Sequence, residues 1–117
     1  MILSLLKTKI WFYQNPIDFR KQSDGLVLLV SGHLHCDPVS GQLFVFRNRG
    51  ADKLKLLYWD DNGFWLLYKR LEKGRFTFPK VIGQAMELTR EQLSWLLSGL
   101  DFTQQKMLPR VNAKHFY

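Results

Sequence analysis

Lys53-Leu54-Lys55-Leu56-Leu57-Tyr58-Trp59-Asp60-Asp61-Asn62-Gly63-Phe64-Trp65-Leu66-Leu67-Tyr68-Lys69-Arg70-Leu71 is the stretch on which the fold turns. Two runs of aromatic and aliphatic residues flank a polar tetrapeptide. Asp60-Asp61-Asn62-Gly63 is a strong hairpin signal, because Asn and Gly take φ > 0 at little cost. The pattern predicts strands over 53–59 and 64–71. A three-residue turn, Asp61-Asn62-Gly63, sets Trp59 opposite Trp65, Leu57 opposite Leu67 and Lys55 opposite Lys69. Alternation then gathers those six on one face, with aromatics at its centre and lysines at its far end. Leu54, Leu56, Tyr58, Phe64, Leu66, Tyr68 and Arg70 take the other face. A two-residue Asn62-Gly63 turn shifts the pairing by one and mixes the faces.

Working outward, Gly74 breaks the second strand, and Phe76, Phe78 and Pro79 form a short extended segment. Thr89-Arg90-Glu91-Gln92 is a capping box that opens a helix. Leu93, Leu96, Leu97 and Leu100 are its apolar stripe, and Gly99 marks its end. Upstream, Leu43 to Arg47 reads as a third strand, after loop residues Asp37 to Gly41. Lys9 to Tyr13 reads as another strand, halted by Asn15-Pro16. Between them, Asp18 can cap a helix with Leu26, Leu29, Val30 and His33 on one face. A turn at Ser23-Asp24-Gly25 followed by a buried strand at 26–30 is the rival reading, and periodicity does not separate the two. The expectation is an α+β domain: an antiparallel sheet of about four strands packed against two helices. Both helices are expected on one face, which leaves the other face or its rim for a partner. Residues 1–103 form the domain and 104–117 a basic C-terminal tail.

The chain has 117 residues and a formal charge of +7, with 46% apolar residues and 15% aromatic. That supports one packed domain and excludes wholesale disorder. A basic balance favours anionic partners. The single cysteine, Cys36, allows no intrachain disulfide and fits a reducing compartment. Lys7 and Lys9 follow the short apolar run Met1–Leu6, the wrong order for a secretory signal. No stretch approaches the ~20 apolar residues of a membrane helix. A cytoplasmic protein with no membrane partner is expected.

Catalytic constellations fare poorly. His33, His35, Cys36 and Asp37 carry ligand atoms, but zinc needs three or four at workable geometry. Neither metal nor cofactor is expected. Cys36 with a neighbouring histidine lacks an orienting group and an oxyanion site. Asp60 and Asp61 suit a turn better than a two-metal centre. The glycines are spaced as turn residues, not as a phosphate loop. Residues 53–80 hold seven basic groups against three acids. Their chemistry points to phosphate contacts, with rings that can stack on bases.

Several runs together resemble a known family. They are Pro16-Ile17-Asp18-Phe19-Arg20-Lys21, Asp24-Gly25-Leu26, Asp37 to Arg49, Lys55 to Asp60, Asn62-Gly63-Phe64 and Tyr68 to Phe76. In this order they are similar to the small TnpB proteins, products of the second open reading frame of insertion sequence 66 elements. (The RNA-guided nucleases that share that name are unrelated to this resemblance.) The resemblance spans about Ile10 to Phe102. It implies a non-catalytic accessory protein of transposition, encoded beside a separate transposase, and it favours the helix at 26–30. His33-Leu34-His35-Cys36 and the residues after Phe102 depart from the family pattern. The expected partners are DNA, at transposon ends or target, and the transposase of the same element. The expected phosphate contacts are Arg20 and Lys21, then Arg47, Arg49, Lys53 and Lys55, then Lys69, Arg70, Lys73 and Arg75. Trp59 and Trp65 are the expected stacking rings. The alternative is an adapter that docks on the transposase without touching DNA.

Overall fold

A computed structural model of the chain describes residues 8–78, 80 and 83–99. Its elements are β1 (Ile10–Tyr13), α1 (Ser23–Gly32), β2 (Leu43–Arg47), β3 (Lys53–Asp60), β4 (Gly63–Arg70), β5 (Ala85–Leu88) and α2 (Arg90–Ser98). The strands form one sheet in the order β4-β3-β2-β1-β5. All pairings are antiparallel except β1 with β2, which are parallel and joined through α1. The expected α+β class is therefore what the chain adopts, with five strands where about four were expected. The addition is Ala85–Leu88, which pairs with β1. No helix among the described residues is long and apolar enough to cross a membrane.

The helices lie on opposite faces of the sheet, which corrects the expectation of a single covered face. On one face Ile10, Phe12, Leu43, Val45, Leu54, Leu56 and Tyr58 pack with Leu96 of α2, Phe76 and Leu88. On the other, Tyr13, Phe44, Phe46 and Leu57 pack with Leu26 and Val30 of α1 and with Ile17. The reason is visible in β2: Leu43, Phe44, Val45 and Phe46 are all buried. A strand apolar on both sides must be covered on both sides. The three-layer arrangement covers the central strands β2 and β3 on both faces, while Trp65, Leu67 and Tyr68 of the edge strand β4 stay exposed.

Residues 26–30 are helical. Gly25 stands where a Cβ would lie 3.3 Å from Lys21 Cβ, so the entering chain passes close to the helix. α1 starts at Ser23 and not beside Asp18, and its N-cap Gln22 makes no side-chain cap. Asp18 instead closes a turn of its own: its Oδ1 accepts from Arg20 N at 2.9 Å and its carbonyl from Lys21 N at 3.0 Å. Its side chain satisfies a local donor before the helix begins. His33 is the exposed C-cap and does not join the core stripe.

The capping box is formed as expected. Thr89 Oγ1 accepts from Gln92 N at 3.1 Å, and Gln92 Oε1 accepts from Thr89 N at 2.8 Å. Gly99 closes α2 at φ 81°, a conformation that favours glycine. Leu100 and the proposed 104–117 tail lie outside the described residues.

The hairpin register differs from the expected one. The turn is the two-residue Asp61-Asn62, and Asp60 pairs with Gly63. Trp59 therefore faces Phe64, Leu57 faces Leu66, and Lys55 faces Tyr68. Asp61 takes the left-handed φ of 53°, which Asp tolerates better than most residues. β3 is buried on both faces from Leu54 to Tyr58, so hydrophobic alternation in that strand does not select between the registers.

Candidate nucleic-acid interface

One end of the sheet collects cations from three parts of the chain. β2 ends at Arg47, β3 begins at Lys53 and β4 ends at Arg70, with Lys53 paired to Arg70 and Arg47 to Leu54. Backbone bonds tie the adjoining loops to this end. Leu71 N donates to Asp52 O at 2.8 Å, and Phe76 N to Ala51 O at 2.6 Å, which brings the Lys73–Arg75 loop beside the β2–β3 turn. Ile17 N donates to Arg47 O at 2.9 Å, bringing in the segment that carries Arg20 and Lys21. Arg49 shares an open cleft of about 300 Å³ with Pro16, Ile17 and Asp18.

The β2–β3 turn is held by its own side chains. Asn48 Oδ1 accepts from Asp52 N at 3.2 Å and from Lys53 N at 3.0 Å, and Asn48 Nδ2 donates to Asp52 Oδ1 at 2.6 Å. That last bond is the main reason the Asp52 carboxyl is held below the usual carboxylate range. Asn48 thus presents Arg49 on a braced turn and consumes the nearest acid. The other two acids are also engaged. Asp18 receives Arg20 Nε and Nη2 at 2.9 and 2.5 Å and is lowered to about 2, chiefly by that side-chain bond. Glu72 pairs with Arg70 at 3.2 Å.

The remaining cations divide clearly. Lys21, Arg49, Lys73 and Arg75 are exposed, Lys53 is half-buried, and none of the five has an ion-pair partner among the described residues. Arg47 is built into the scaffold. Its Nε donates to Gln14 O at 2.7 Å, its guanidinium lies 5.2 Å from the Phe78 ring centroid, and burial lowers its pKa.

Lys55 is a correction. It is 3% exposed. Its ammonium donates to Phe19 O at 2.8 Å and Lys21 O at 2.7 Å, and sits 5.0 and 5.9 Å from the Phe19 and Tyr68 ring centroids. It staples the 19–21 segment to the sheet and offers nothing to a phosphate. Lys69 lies on the opposite face from Lys55 and donates to Leu97 O of α2.

Trp59 and Trp65 are not brought together, nor do they join the cations. They fall on opposite faces, and both lie toward the hairpin tip, about 20 Å along β3 from Lys53. Trp59 packs edge-on against Phe64 at 5.0 Å, and Trp65 Nε1 donates to Asp60 Oδ2 at 3.0 Å. The one-residue change of register separates them, since it inverts one strand's faces relative to the other's. The loop cations were legible as charge, but Asn48 and Ala51 were missed as the residues that aim them. An Asn four residues before an Asp, between two strands, is the signal that could have found the turn.

Elsewhere, Trp11, His33, Leu34, His35 and Cys36 line a cleft of about 310 Å³. Among the described residues no three of His, Cys, Asp and Glu gather as a metal site. The Cys36 thiol donates to Leu34 O at 3.4 Å.

The fold is thus a small α+β domain with exposed cations on the loops at one end of its sheet. Comparison with known proteins adds the lineage: residues 8–107 match the IS66 Orf2-like family, TnpB of insertion sequence 66 elements, and the chain belongs to that family. It is accordingly a transposition accessory protein. It is 43% identical over 101 residues to "Uncharacterized protein y4jC" of Sinorhizobium fredii (strain NBRC 101917 / NGR234), covering 86% of each chain. It is 38% identical over 102 residues to "Uncharacterized protein y4hO" of the same organism, covering 87% of this chain and 89% of that one. No solved structure matches.

Proposed function

We propose that the protein is a non-catalytic, cytoplasmic accessory factor that grips DNA backbone with the basic end of its sheet. The observation that carries this is that the segments bearing Lys21, Arg49, Lys73 and Arg75 are each tied by backbone hydrogen bonds to the same end of the sheet, with all four side chains exposed. Cations held on loops around one edge can neutralise successive phosphates and release counterions. With the indoles at the other end, the contact is to the backbone and carries little base readout. The carboxylates favour a non-catalytic reading: Asp18, Asp52, Asp60 and Glu72 are each engaged by a neighbouring side chain, and among the described residues no three of His, Cys, Asp and Glu gather to hold a metal ion.

A salt titration of affinity for duplex DNA tests this. Changing Lys21, Arg49, Lys73 and Arg75 together to Gln should flatten the slope of log K against log salt by roughly three to four units, near 0.9 per lost phosphate contact. An unchanged slope rejects the assignment.

The second reading, an adapter for the transposase, is favoured by the exposed Trp65 and Leu67. Mixing the protein separately with DNA and with the transposase discriminates them: the adapter binds only the transposase.

A further inference from the structure

The outer edge of β4 is long, regular and apolar. β4 pairs with β3 along all eight residues from Gly63 to Arg70, while no strand among the described residues pairs with its other side. The opposite edge of the sheet, β5, has only four residues. Three large apolar side chains of β4 are exposed: Trp65 at 45%, Leu67 at 43% and Tyr68 at 52%. In a strand paired on one side only, every second N–H and C=O points outward with no partner strand, a template for another strand. Charge at the centre of such an edge would protect it, but the β4 cations Lys69 and Arg70 stand at its end.

We propose that β4 is the seam of a homodimer, in which two copies pair antiparallel, β4 to β4, into one ten-stranded sheet. Charge selects the occupant and the direction. The hairpin is polar along its length, with Asp60 and Asp61 at one end and Lys69, Arg70 and Lys73 at the other. Antiparallel pairing with a second copy sets each acidic end beside the partner's basic end, whereas parallel pairing stacks like on like. Charge also selects the register. Side chains facing across the seam must share a sheet face, so the two-fold passes through Leu66 or Leu67 near the centre. The Leu66 register carries Arg70 past the end of the partner's β4, across from its turn residue Asn62. The Leu67 register sets Leu67 against its own copy, Lys69 across from the partner's Trp65 and Arg70 across from the partner's Phe64. Opposite charges and cation–aromatic pairs across strands stabilise such a ladder.

The test is the mass of the full chain in solution by light scattering, from low micromolar to several hundred micromolar. A concentration-dependent rise from 13.9 kDa to twice that is expected. Leu67→Lys and Leu67→Glu should each be monomeric, because the symmetric position doubles either charge. Mixing the two variants should restore the dimer mass. Hydrogen exchange on the unmodified protein reads the seam without any substitution: alternate β4 amides should gain protection as concentration rises. A monomer throughout the range overturns the proposal, as does a dimer that survives Leu67→Lys with its mass unchanged. Failure of the mixed variants to pair overturns the Leu67 register. Lys21 and Arg49 lie outside the β3–β4 hairpin, so changing both to Gln should keep the dimer mass while flattening the salt slope, which separates this proposal from the DNA reading.

Discussion

Replacing Lys55 by Met should weaken folding and spare DNA binding. Methionine keeps most of the apolar stem and removes the ammonium. Two charge-assisted hydrogen bonds, to Phe19 O and Lys21 O, are lost with it. Such bonds contribute roughly 1.5–3 kcal/mol each. Relief of the ammonium's desolvation offsets part of the loss, and the freed carbonyls can reach water because Phe19 is half-buried and Lys21 exposed. The net expected loss is about 1–3 kcal/mol, which in a domain of this size lowers Tm by roughly 5–15 °C. pH adds a second signature. Burial lowers the Lys55 pKa from 10.5, so the unfolded chain binds more protons in the window just below that value. Stability from this group therefore rises as pH climbs toward 10.5 and is lost as pH falls through the folded pKa. The gap between wild type and variant should widen with pH across that window. Chemical denaturation at several pH values measures it, and a DNA salt titration of the same variant should show an unchanged slope. An unaltered unfolding free energy together with a slope lower by about one unit would refute the burial argument and return Lys55 to the surface.

Two further outcomes are expected. Asp18, lowered from 3.8 to about 2, and Asp52, also lowered, contribute stability that is present above pH about 4 and is lost as pH falls through their folded values. Arg20→Gln should move the Asp18 titration midpoint back up toward 3.8, read by NMR. A midpoint that stays put would show that the guanidinium is not its cause. Thr89→Ala removes the cap that accepts from Gln92 N and should cost about 1 kcal/mol. The loss should be far smaller for Thr89→Ser, which keeps the acceptor.

Local signals were read well where their physics is local. The capping box of Thr89 and Gln92 is a contact between neighbours in sequence, and it forms as its spacing dictates. The strands at 10–13, 43–47 and 53–60 follow from β-branched and aromatic runs. Ala85–Leu88 was missed because Ala-Met-Glu-Leu has little β propensity, and its pairing with β1 makes it a strand. Asp18 reads as a helix cap, yet its carboxylate accepts from Arg20 N in a turn, and helix caps and Asx turns satisfy the same kind of backbone donor. The candidate site was half legible. The loop cations Arg49, Lys73 and Arg75 are visible as charge between strands, whereas the burial of Lys55 is not. An alternating Lys reads as solvent-facing until a loop is found covering it.

From its residues alone, this chain fixes its class, its main elements, its excess of positive charge and its kinship with the IS66 Orf2-like family. Those depend on composition, short-range periodicity and contiguous runs. Only the three-dimensional arrangement decided which faces are covered, the hairpin register, the separation of both indoles from the cations and the burial of Lys55. Each of these depends on contacts between distant segments. Strand pairing at either register satisfies the same backbone donors, so the choice passes to whatever packs above and below the sheet.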